Sequence, residues 1–273
     1  MICLTGDVHH MTMRTSDQTR LAGTEASAAL DYAEIAAAKG IKVTLFATGR
    51  SVVEETPVFR EIGRVPGVEL GGHGHRGRRP RWLYELGFRR ALGQANGPPS
   101  FEAREIGRTV RAFREGLGRD IRSWRDHAYR RGPRTYRLLA AAGVVAVSDE
   151  PADGSAAPRR VDGLVSLPIN VWPDHDCLAH GRYAGALPRR VREAAPWLPE
   201  RYLAAGEWLA AVLGQVDRIE RRGGLATLLV HPACMGVLDG FATFRRLCAA
   251  LGGAVSVTAA EAAASPGPER RPA

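Results

Sequence analysis

The chain opens with Ile2-Cys3-Leu4-Thr5-Gly6-Asp7-Val8-His9-His10, an apolar run that ends in ionisable side chains. Short apolar runs bounded by turn residues are typical of buried β-strands. The predicted strands cover residues 2–5, 42–46, 68–71, 121–124, 144–148, 164–171, 226–230 and 255–258. Longer Ala-rich or amphipathic segments predict helices over residues 24–39, 52–64, 101–118, 133–142, 204–222 and 242–251. This alternation predicts a parallel sheet that is covered by helices.

Several predicted strands are almost continuously apolar, as expected where both faces of a parallel sheet are buried. We therefore predict an α/β fold, a distorted (β/α) barrel of about seven strands with its active site at the C-terminal ends of the strands. An open doubly wound sheet is the alternative, although no G-x-G-x-x-G fingerprint follows the first strand. Residues 1–262 are expected to form one domain, and residues 263–273 a disordered tail.

The composition bounds the class of protein. The 273 residues, of which 45% are hydrophobic and 25% charged, can form a large buried core, which excludes disorder of the whole chain. No apolar run approaches the roughly 18 residues that a membrane-spanning helix needs, and no signal-peptide pattern is present. We therefore expect a cytoplasmic protein without a membrane span, and the sequence indicates no particular oligomeric state. The 4 cysteines form no C-x-x-C pair, which predicts reduced thiols.

The net charge of +9 arises from 38 basic residues, nearly all arginine, against 29 acidic residues. A basic surface attracts nucleic acids or anionic substrates. Because no aromatic stacking platform or recognition-helix signature accompanies the arginines, we do not expect a nucleic-acid partner. Heavy use of arginine, alanine and glycine also suggests a GC-rich genome, so the charge alone does not identify a substrate.

Reactive side chains concentrate directly after predicted strands. The chain has only 8 histidines, and most of them lie at these positions. In β/α barrels this edge of the sheet is where active sites form. The residues concerned are Asp7, His9, His10, His73, His75, His127 and His231.

Five stretches, taken in order, resemble the polysaccharide deacetylases, also called NodB-like domains or carbohydrate esterase family 4. Leu4-Thr5-Gly6-Asp7 resembles the first motif of that family, and residues 40–49 (GIKVTLFATG) resemble its second strand. Residues 68–73 (VELGGH) resemble the approach to its metal-binding motif. Residues 124–135 resemble the third motif, and residues 229–232 (LVHP) resemble the last. The resemblance covers residues 1 to about 235 and rests on the order of the motifs.

The resemblance implies metal-dependent hydrolysis of an N-acyl amide, usually N-acetyl, on an amino sugar. Asp7 falls on the general base of the family, and Arg125 falls on the arginine that orients the base. His231 falls on the general acid that protonates the leaving amine, and His73 falls on the first metal-binding histidine. A structural ion pair with Asp149 is the alternative interpretation of Arg125.

Two positions depart from the family pattern, because its second carboxylate is Val8 here and its second metal-binding histidine is Gly77. Residues two apart on an extended strand share a face. By this rule His9 shares the face of Asp7.

By the same rule, His75 is expected to lie on the same face as His73. We therefore predict a divalent metal, with zinc preferred, held by His9, His73 and His75, with water in the open position. His10 is the alternative to His9 as the first of these ligands.

Two loops are expected to contact the substrate. Trp172 is predicted to stack on a sugar ring, with Asp174 hydrogen-bonding to it. In the third motif, Tyr129 and His127 are predicted substrate contacts, with a buried core histidine as the alternative for His127. The loop after residue 171 also has the alternatives of a solvated structural loop and of a second zinc site, in the latter case from His175, Cys177 and His180, whose spacing matches no standard finger.

The leading hypothesis is a cytoplasmic, metal-dependent deacylase that acts on a glycan or a small-molecule sugar conjugate. Amide hydrolysis on a non-sugar small molecule is a close variant. A degenerate, metal-free carbohydrate-binding protein is the alternative from another class. Retention of Asp7, Arg125 and His231 together favours the enzyme.

Overall fold

The computed structural model describes residues 1–264, which form an eight-stranded sheet surrounded by helices. The strands are β1 (Ile2–Val8), β2 (Val43–Ala47), β3 (Val68–Gly72), β4 (Ser123–Trp124), β5 (Ala146–Val147), β6 (Arg159–Val161), β7 (Leu164–Ser166) and β8 (Ala226–Leu229). Their order in the sheet is β6-β7-β5-β4-β3-β2-β1-β8. Every neighbouring pair is parallel except β6 with β7. The sheet curls into a half-barrel, which confirms the predicted distorted (β/α) barrel.

The ends of the sheet differ from the sequence prediction. The predicted strand over residues 255–258 forms only a single parallel bridge, between Ile2 and Ser256. Strand β6 covers residues that none of the predicted strands includes. It pairs with β7 through an Asp-Gly connection at residues 162–163, a favoured two-residue hairpin turn.

The helices follow the predicted segments with shifts of a few residues. They are α1 (Glu25–Ala37), α2 (Gly49–Glu54), α3 (Thr56–Ile62), α4 (Pro99–Leu117), α5 (Thr135–Ala141), α6 (Asp174–Cys177), α7 (Arg189–Ala194), α8 (Ala205–Arg221), α9 (Pro232–Asp239), α10 (Ala242–Leu251) and α11 (Ala259–Ala264). A π-helix over Leu83–Arg90 and 3-10 turns over Met11–Met13 and His127–Tyr129 complete the regular structure of the described residues. The tail predicted over 263–273 begins inside α11, and residues 265–273 lie outside the described residues.

Helix boundaries follow local capping chemistry. Helix α1 begins after Thr24, whose side chain accepts a hydrogen bond from Ser27 N in a capping box. The helix predicted over 52–64 is divided at Glu55, whose φ of −131° is not helical. Helix α9 was not expected, and it starts with Pro232, a residue favoured in the first turn of a helix.

Both faces of the central strands are buried, and this fixes which side chains of β1 face the site. All seven residues of β1 are buried. Leu4 packs in the larger hydrophobic cluster and Cys3 in a smaller one on the opposite face of the sheet. Alternation along the strand therefore places Thr5 and Asp7 on the face of Cys3.

Candidate active site

Asp7 is the centre of a buried cluster at the C-terminal edge of the sheet. Its Oδ1 accepts a hydrogen bond of 2.9 Å from Arg125 Nη1. Its Oδ2 lies 3.8 Å from His73 Nε2 and 3.7 Å from His231 Nε2. Burial alone would raise the pKa of Asp7, but Arg125, His73 and His231 hold it well below its usual value. The carboxylate therefore stays ionised, with one oxygen fixed and the other facing two imidazoles.

Arg125 is fixed in turn by neighbouring strands. Its Nε donates to Ser148 O at 2.8 Å, and its Nη2 donates to Thr5 Oγ1 and Ser148 Oγ at 2.9 and 2.8 Å. The side chain is fully buried. Its carboxylate partner is Asp7 rather than Asp149, which instead accepts from the backbone N–H of Asp126.

His231 is oriented by Asp174. Its Nδ1 donates to Asp174 Oδ1 at 2.7 Å, and its backbone N–H donates to Asp174 Oδ2 at 2.7 Å. Burial lowers the pKa of His231, but Asp174 and Asp7 outweigh this effect and raise the pKa well above the usual value. His231 therefore carries a proton at neutral pH, with Nε2 directed at Asp7. Asp174, which was predicted to hydrogen-bond to a sugar, is fully buried and holds His231.

Three histidines meet beside Asp7. The potential ligand nitrogens of His9, His73 and His127 all lie within 4.8 Å of one another. His73 Nε2 and His127 Nδ1 are 3.2 Å apart. His9 and His73 follow β1 and β3, whereas His127 follows β4, so the cluster draws on three strand ends.

The other two candidate ligands point elsewhere. His10 is buried and contacts Thr48 Oγ1 through Nδ1 at 3.2 Å. The ring of His75 faces α2 and α4, where its Nδ1 lies 2.6 Å from the position that a Cβ on Gly49 would take. The backbone causes this, because β3 ends at Gly72 and Gly74 adopts a φ of +73°. The structure thus brings His127, and not His75, to His9 and His73.

Gly77 occupies the position, four residues after His73, at which the family has its second metal-binding histidine. Its φ is +53°, and a Cβ there would lie 2.6 Å from Met13 Sδ and 3.8 Å from His127 Nδ1. A side chain at 77 would therefore be strained by its φ and would have to displace the end of the Met13 side chain, and His127 lies on the far side of that position.

The three histidines fit a divalent metal. His73 Nδ1 donates to Arg125 O at 2.8 Å and His9 Nδ1 contacts Glu25 Oε2 at 3.0 Å, which leaves each Nε2 lone pair free. Carbonyl and carboxylate partners of this kind orient most metal-binding histidines. Two nitrogens bound to one tetrahedral zinc lie roughly 3.3 Å apart, close to the separation of the His73 and His127 nitrogens.

The lowered pKa values of His73 and His127 also suit a metal, because a neutral imidazole is the form that binds one. Burial, with Arg125 and His9 nearby, lowers the pKa of His73 to about 4. Burial and the neighbouring His9 and His73 lower the pKa of His127 well below its usual value. Only His9 has a raised pKa, because Glu25 outweighs its burial. Sequence patterns gave no signal for Glu25, which sits in the first turn of α1.

A cleft of about 650 Å³ opens over this cluster. Asp7, His73 and His231 lie on its floor, and Tyr129 lines its wall with a φ of +56°. Left-handed backbone at a non-glycine residue is typical of functional sites. Trp172 lies outside this cleft, where its Nε1 donates to Trp197 O at 2.9 Å. Arginines line the cleft at Arg14, Arg78, Arg79, Arg81, Arg130 and Arg182.

The fold is that of the polysaccharide deacetylases. A protein from Mycobacterium smegmatis assigned to that class superposes with a TM-score of 0.70 at 18% identity, over 100% of this chain and 94% of its own. The PuuE allantoinase aligns with a TM-score of 0.61 at 15% identity, over 94% and 86% of the two chains. A family 4 carbohydrate esterase from Streptomyces lividans aligns with a TM-score of 0.52 at 13% identity, over 92% and 88%. No family model and no curated protein sequence matches the chain.

None of the helices within residues 1–264 is both long and apolar enough to cross a membrane.

Proposed function

We propose that this protein is a metal-dependent hydrolase that removes an N-acyl group, preferably N-acetyl, from an amino sugar or sugar conjugate. The observation that carries the proposal is the position of Asp7. One of its oxygens is held by Arg125, and the other faces both His73 and the protonated His231. A base beside a potential metal ligand and an acid is the arrangement that amide hydrolysis requires.

Each residue has one part in the proposed reaction. Asp7 Oδ2 accepts a proton from the attacking water, and Arg125 keeps that carboxylate ionised and oriented. His231 Nε2 gives its proton to the leaving nitrogen as the C–N bond breaks, and Asp174 supports the charged imidazole. The products are a carboxylic acid and an amine.

His9, His73 and His127 would hold the metal, with zinc preferred for three imidazoles. A divalent ion there supplies Lewis-acid polarisation of the acyl carbonyl and lowers the pKa of water towards neutrality.

The cleft favours a substrate that also carries an anionic group. Glu85 is engaged with Arg130 at 3.3 Å. In contrast, Arg14, Arg81 and Arg182 form no ion pair with a carboxylate of residues 1–264, and all three are exposed at the cleft. Guanidinium groups bind phosphate and carboxylate strongly, so a sugar phosphate or uronic acid suits this rim.

The test is hydrolysis of N-acetylated amino sugars by chelator-treated protein, before and after addition of zinc. We expect activity only after zinc addition, no activity in Asp7→Asn, and loss of zinc-dependent activity in His127→Ala. His75→Ala is the matched control and should remain active. Equal activity with and without zinc, or an inactive His75→Ala beside an active His127→Ala, would overturn the assignment.

The substrate charge is tested with N-acetylglucosamine and its 1-phosphate. Arg182→Gln should raise KM for the phosphate by about fivefold and leave the neutral sugar unaffected, because one exposed guanidinium contributes on the order of 1 kcal/mol. Equal effects on both substrates would contradict an anionic preference.

Hydrolysis of a non-sugar amide is the second candidate, favoured by the likeness of the fold to an allantoinase. Turnover of cyclic ureides, with no turnover of any N-acetyl sugar, would establish it. A protein that binds sugars, takes up no metal and hydrolyses neither class would be the degenerate binding protein.

A further inference from the structure

Four potential metal ligands converge at a second place, beside the active-site cleft. They are Asp17, His175, His180 and Cys234, and their ligand atoms all lie within 4.8 Å of one another. His180 Nε2 is 3.8 Å from Asp17 Oδ2. Cys234 Sγ is 4.0 Å from Asp17 Oδ2 and 3.9 Å from His175 Nδ1.

These residues come from three separate segments of the chain. Asp17 lies in the loop between β1 and α1, and Cys234 lies in the first turn of α9. His175 and His180 lie in the long connection between β7 and α8. The four side chains thus bring together the three segments that border one side of the cleft.

Two atoms in this cluster are buried and lack a hydrogen-bond partner. They are Asp17 Oδ1 and His180 Nε2. Asp17 is 6% exposed and His180 is 5% exposed, so water does not readily satisfy them. The two groups lie 3.8 Å apart without a hydrogen bond between them, and a cation held by His180 Nε2 and the Asp17 carboxylate would satisfy both.

The surroundings orient the donor atoms inward. His180 Nδ1 donates to Leu178 O at 2.8 Å, which fixes the hydrogen on Nδ1 and leaves the lone pair on Nε2. Tyr183 Oη lies 3.4 Å from His175 Nε2, on the side of the ring away from Cys234. Hydrogen bonds of this kind to the outer ring nitrogen are typical of metal-binding histidines.

We propose that Asp17, His175, His180 and Cys234 form a zinc site with four protein ligands. One thiolate, two imidazoles and one carboxylate are donors that zinc accepts in a closed tetrahedral site. Ligand atoms of such a site lie roughly 3.3–3.7 Å apart, so the three separations given above exceed that range by a few tenths of an ångström, and the remaining pairs lie within 4.8 Å.

The structure disfavours two other interpretations. Cys234 is only 1% exposed, so it does not suit a free nucleophile that must reach a substrate. Cys177, the sulfur expected from the sequence spacing, is buried in the hydrophobic core. Cys234, 59 positions from His175, supplies the sulfur instead.

The proposed zinc site does not depend on the proposed hydrolase function. It has a structural role, because His175 follows Asp174 and Cys234 lies three residues after His231. A zinc ion would connect the segment that carries Asp174 to the segment that carries His231, the proposed general acid.

Cobalt provides the test, because only the second site contains a thiolate. The full chain is stripped with a chelator and titrated with Co²⁺, and the thiolate-to-cobalt charge-transfer band in the near ultraviolet is recorded. We expect a band that saturates at one Co²⁺ per chain in His73→Ala and at no more than two in the wild type, is retained in Cys177→Ala and is lost in Cys234→Ala. No band in the wild type, or a band that persists in Cys234→Ala, would overturn the proposal.

A second variant covers the case in which Cys234→Ala does not fold. His180→Gln keeps the thiol, and we expect its cobalt affinity, read at the same band, to fall at least tenfold. An unchanged affinity would overturn the proposal. His73→Ala alters only the proposed catalytic metal site. A failed hydrolase proposal therefore leaves this band intact, so failure of the hydrolase proposal can be distinguished from failure of the zinc-site proposal.

Discussion

Arg125 Nη1 lies 2.9 Å from Asp7 Oδ1, across 118 positions of sequence, with Arg125 fully buried and Asp7 only 5% exposed at the floor of the cleft. The same guanidinium also donates to Thr5 and Ser148, so its position is set by β1 and by the segment after β5. The pair therefore connects the middle of the sheet to the atom proposed as the base. This makes Arg125 both a structural and an electrostatic partner of Asp7.

Arg125→Met should destabilise the protein by about 3–5 kcal/mol, because it leaves the Asp7 carboxylate buried without its cation. Urea unfolding at pH 7 measures the change. The double variant Asp7→Asn with Arg125→Met should recover part of the loss, since no buried charge remains. A loss below about 1 kcal/mol in the single variant would contradict this interpretation.

The pH dependence of the free energy of unfolding follows from the lowered pKa of Asp7. In the wild type this carboxylate stabilises the fold above its unfolded pKa near about 4, and the stabilisation is lost as pH falls through the lower folded pKa. Without Arg125, the pKa of Asp7 rises. The acid limb of the pH–rate profile should then move to higher pH.

Asp174→Asn should move the basic limb of the pH–rate profile to lower pH. His231 acts only when it is protonated, and Asp174 is the largest source of its raised pKa after the opposing effect of burial. Asp174 also accepts from three N–H groups, those of His231 Nδ1, His231 N and His175 N, through two oxygens, whereas an amide offers only one accepting oxygen. We expect kcat/KM at pH 8 to fall about 10- to 100-fold.

The pH–rate profile of Asp174→Asn also shows whether activity in this variant still depends on zinc. Asp174 has no contact with His9, His73 or His127, so zinc-dependent activity should persist at pH 6. An unchanged basic limb, or a complete loss of zinc dependence at every pH, would contradict the role given to Asp174.

Much of the fold and part of the site were predictable from local signals. The positions of Asp7, His73, Arg125 and His231 at the ends of β1, β3, β4 and β8 follow from apolar runs that end in polar residues. The alternation of side chains along the strand also places His9 on the face of Asp7, because β1 continues to Val8. The strand-end positions use only chain-local information, which is why sequence alone supports them, whereas Arg125 was singled out by the family resemblance.

The remaining features depend on conformation or on distant contacts. His75 does not share the face of His73, because the strand has ended and Gly74 turns the backbone. His127 reaches His73 across 54 positions, and Asp174 reaches His231 across 57. No periodicity in the sequence encodes pairings at such separations, since they arise only when the strands assemble.

Gly77→Ala should destabilise the protein by about 1–3 kcal/mol. A side chain at φ +53° is strained, and its Cβ would lie 2.6 Å from Met13 Sδ. Gly107→Ala in helix α4 is the matched control, because nothing lies within 4 Å of its Cβ position and alanine favours helix by about 0.5–1 kcal/mol. In thermal unfolding, we expect the melting temperature to fall in Gly77→Ala and to rise in Gly107→Ala. A stabilised Gly77→Ala would show that the turn has room for a side chain.

Asp149→Asn should stabilise the protein at pH 8 and have little effect at pH 4. Asp149 Oδ1 accepts from Asp126 N, while Oδ2 of each aspartate is buried without a partner. Burial raises the pKa of Asp149 to about 6, and burial with the Asp149 charge raises that of Asp126 further. The folded state therefore binds more protons than the unfolded state above about pH 4, so stability falls as pH rises through these values. Removal of one charge should recover on the order of 2 kcal/mol at pH 8, measured by urea unfolding. The exposed Asp31→Asn serves as control, and an equal gain at pH 4 and pH 8 would show that packing, and not charge, explains the effect.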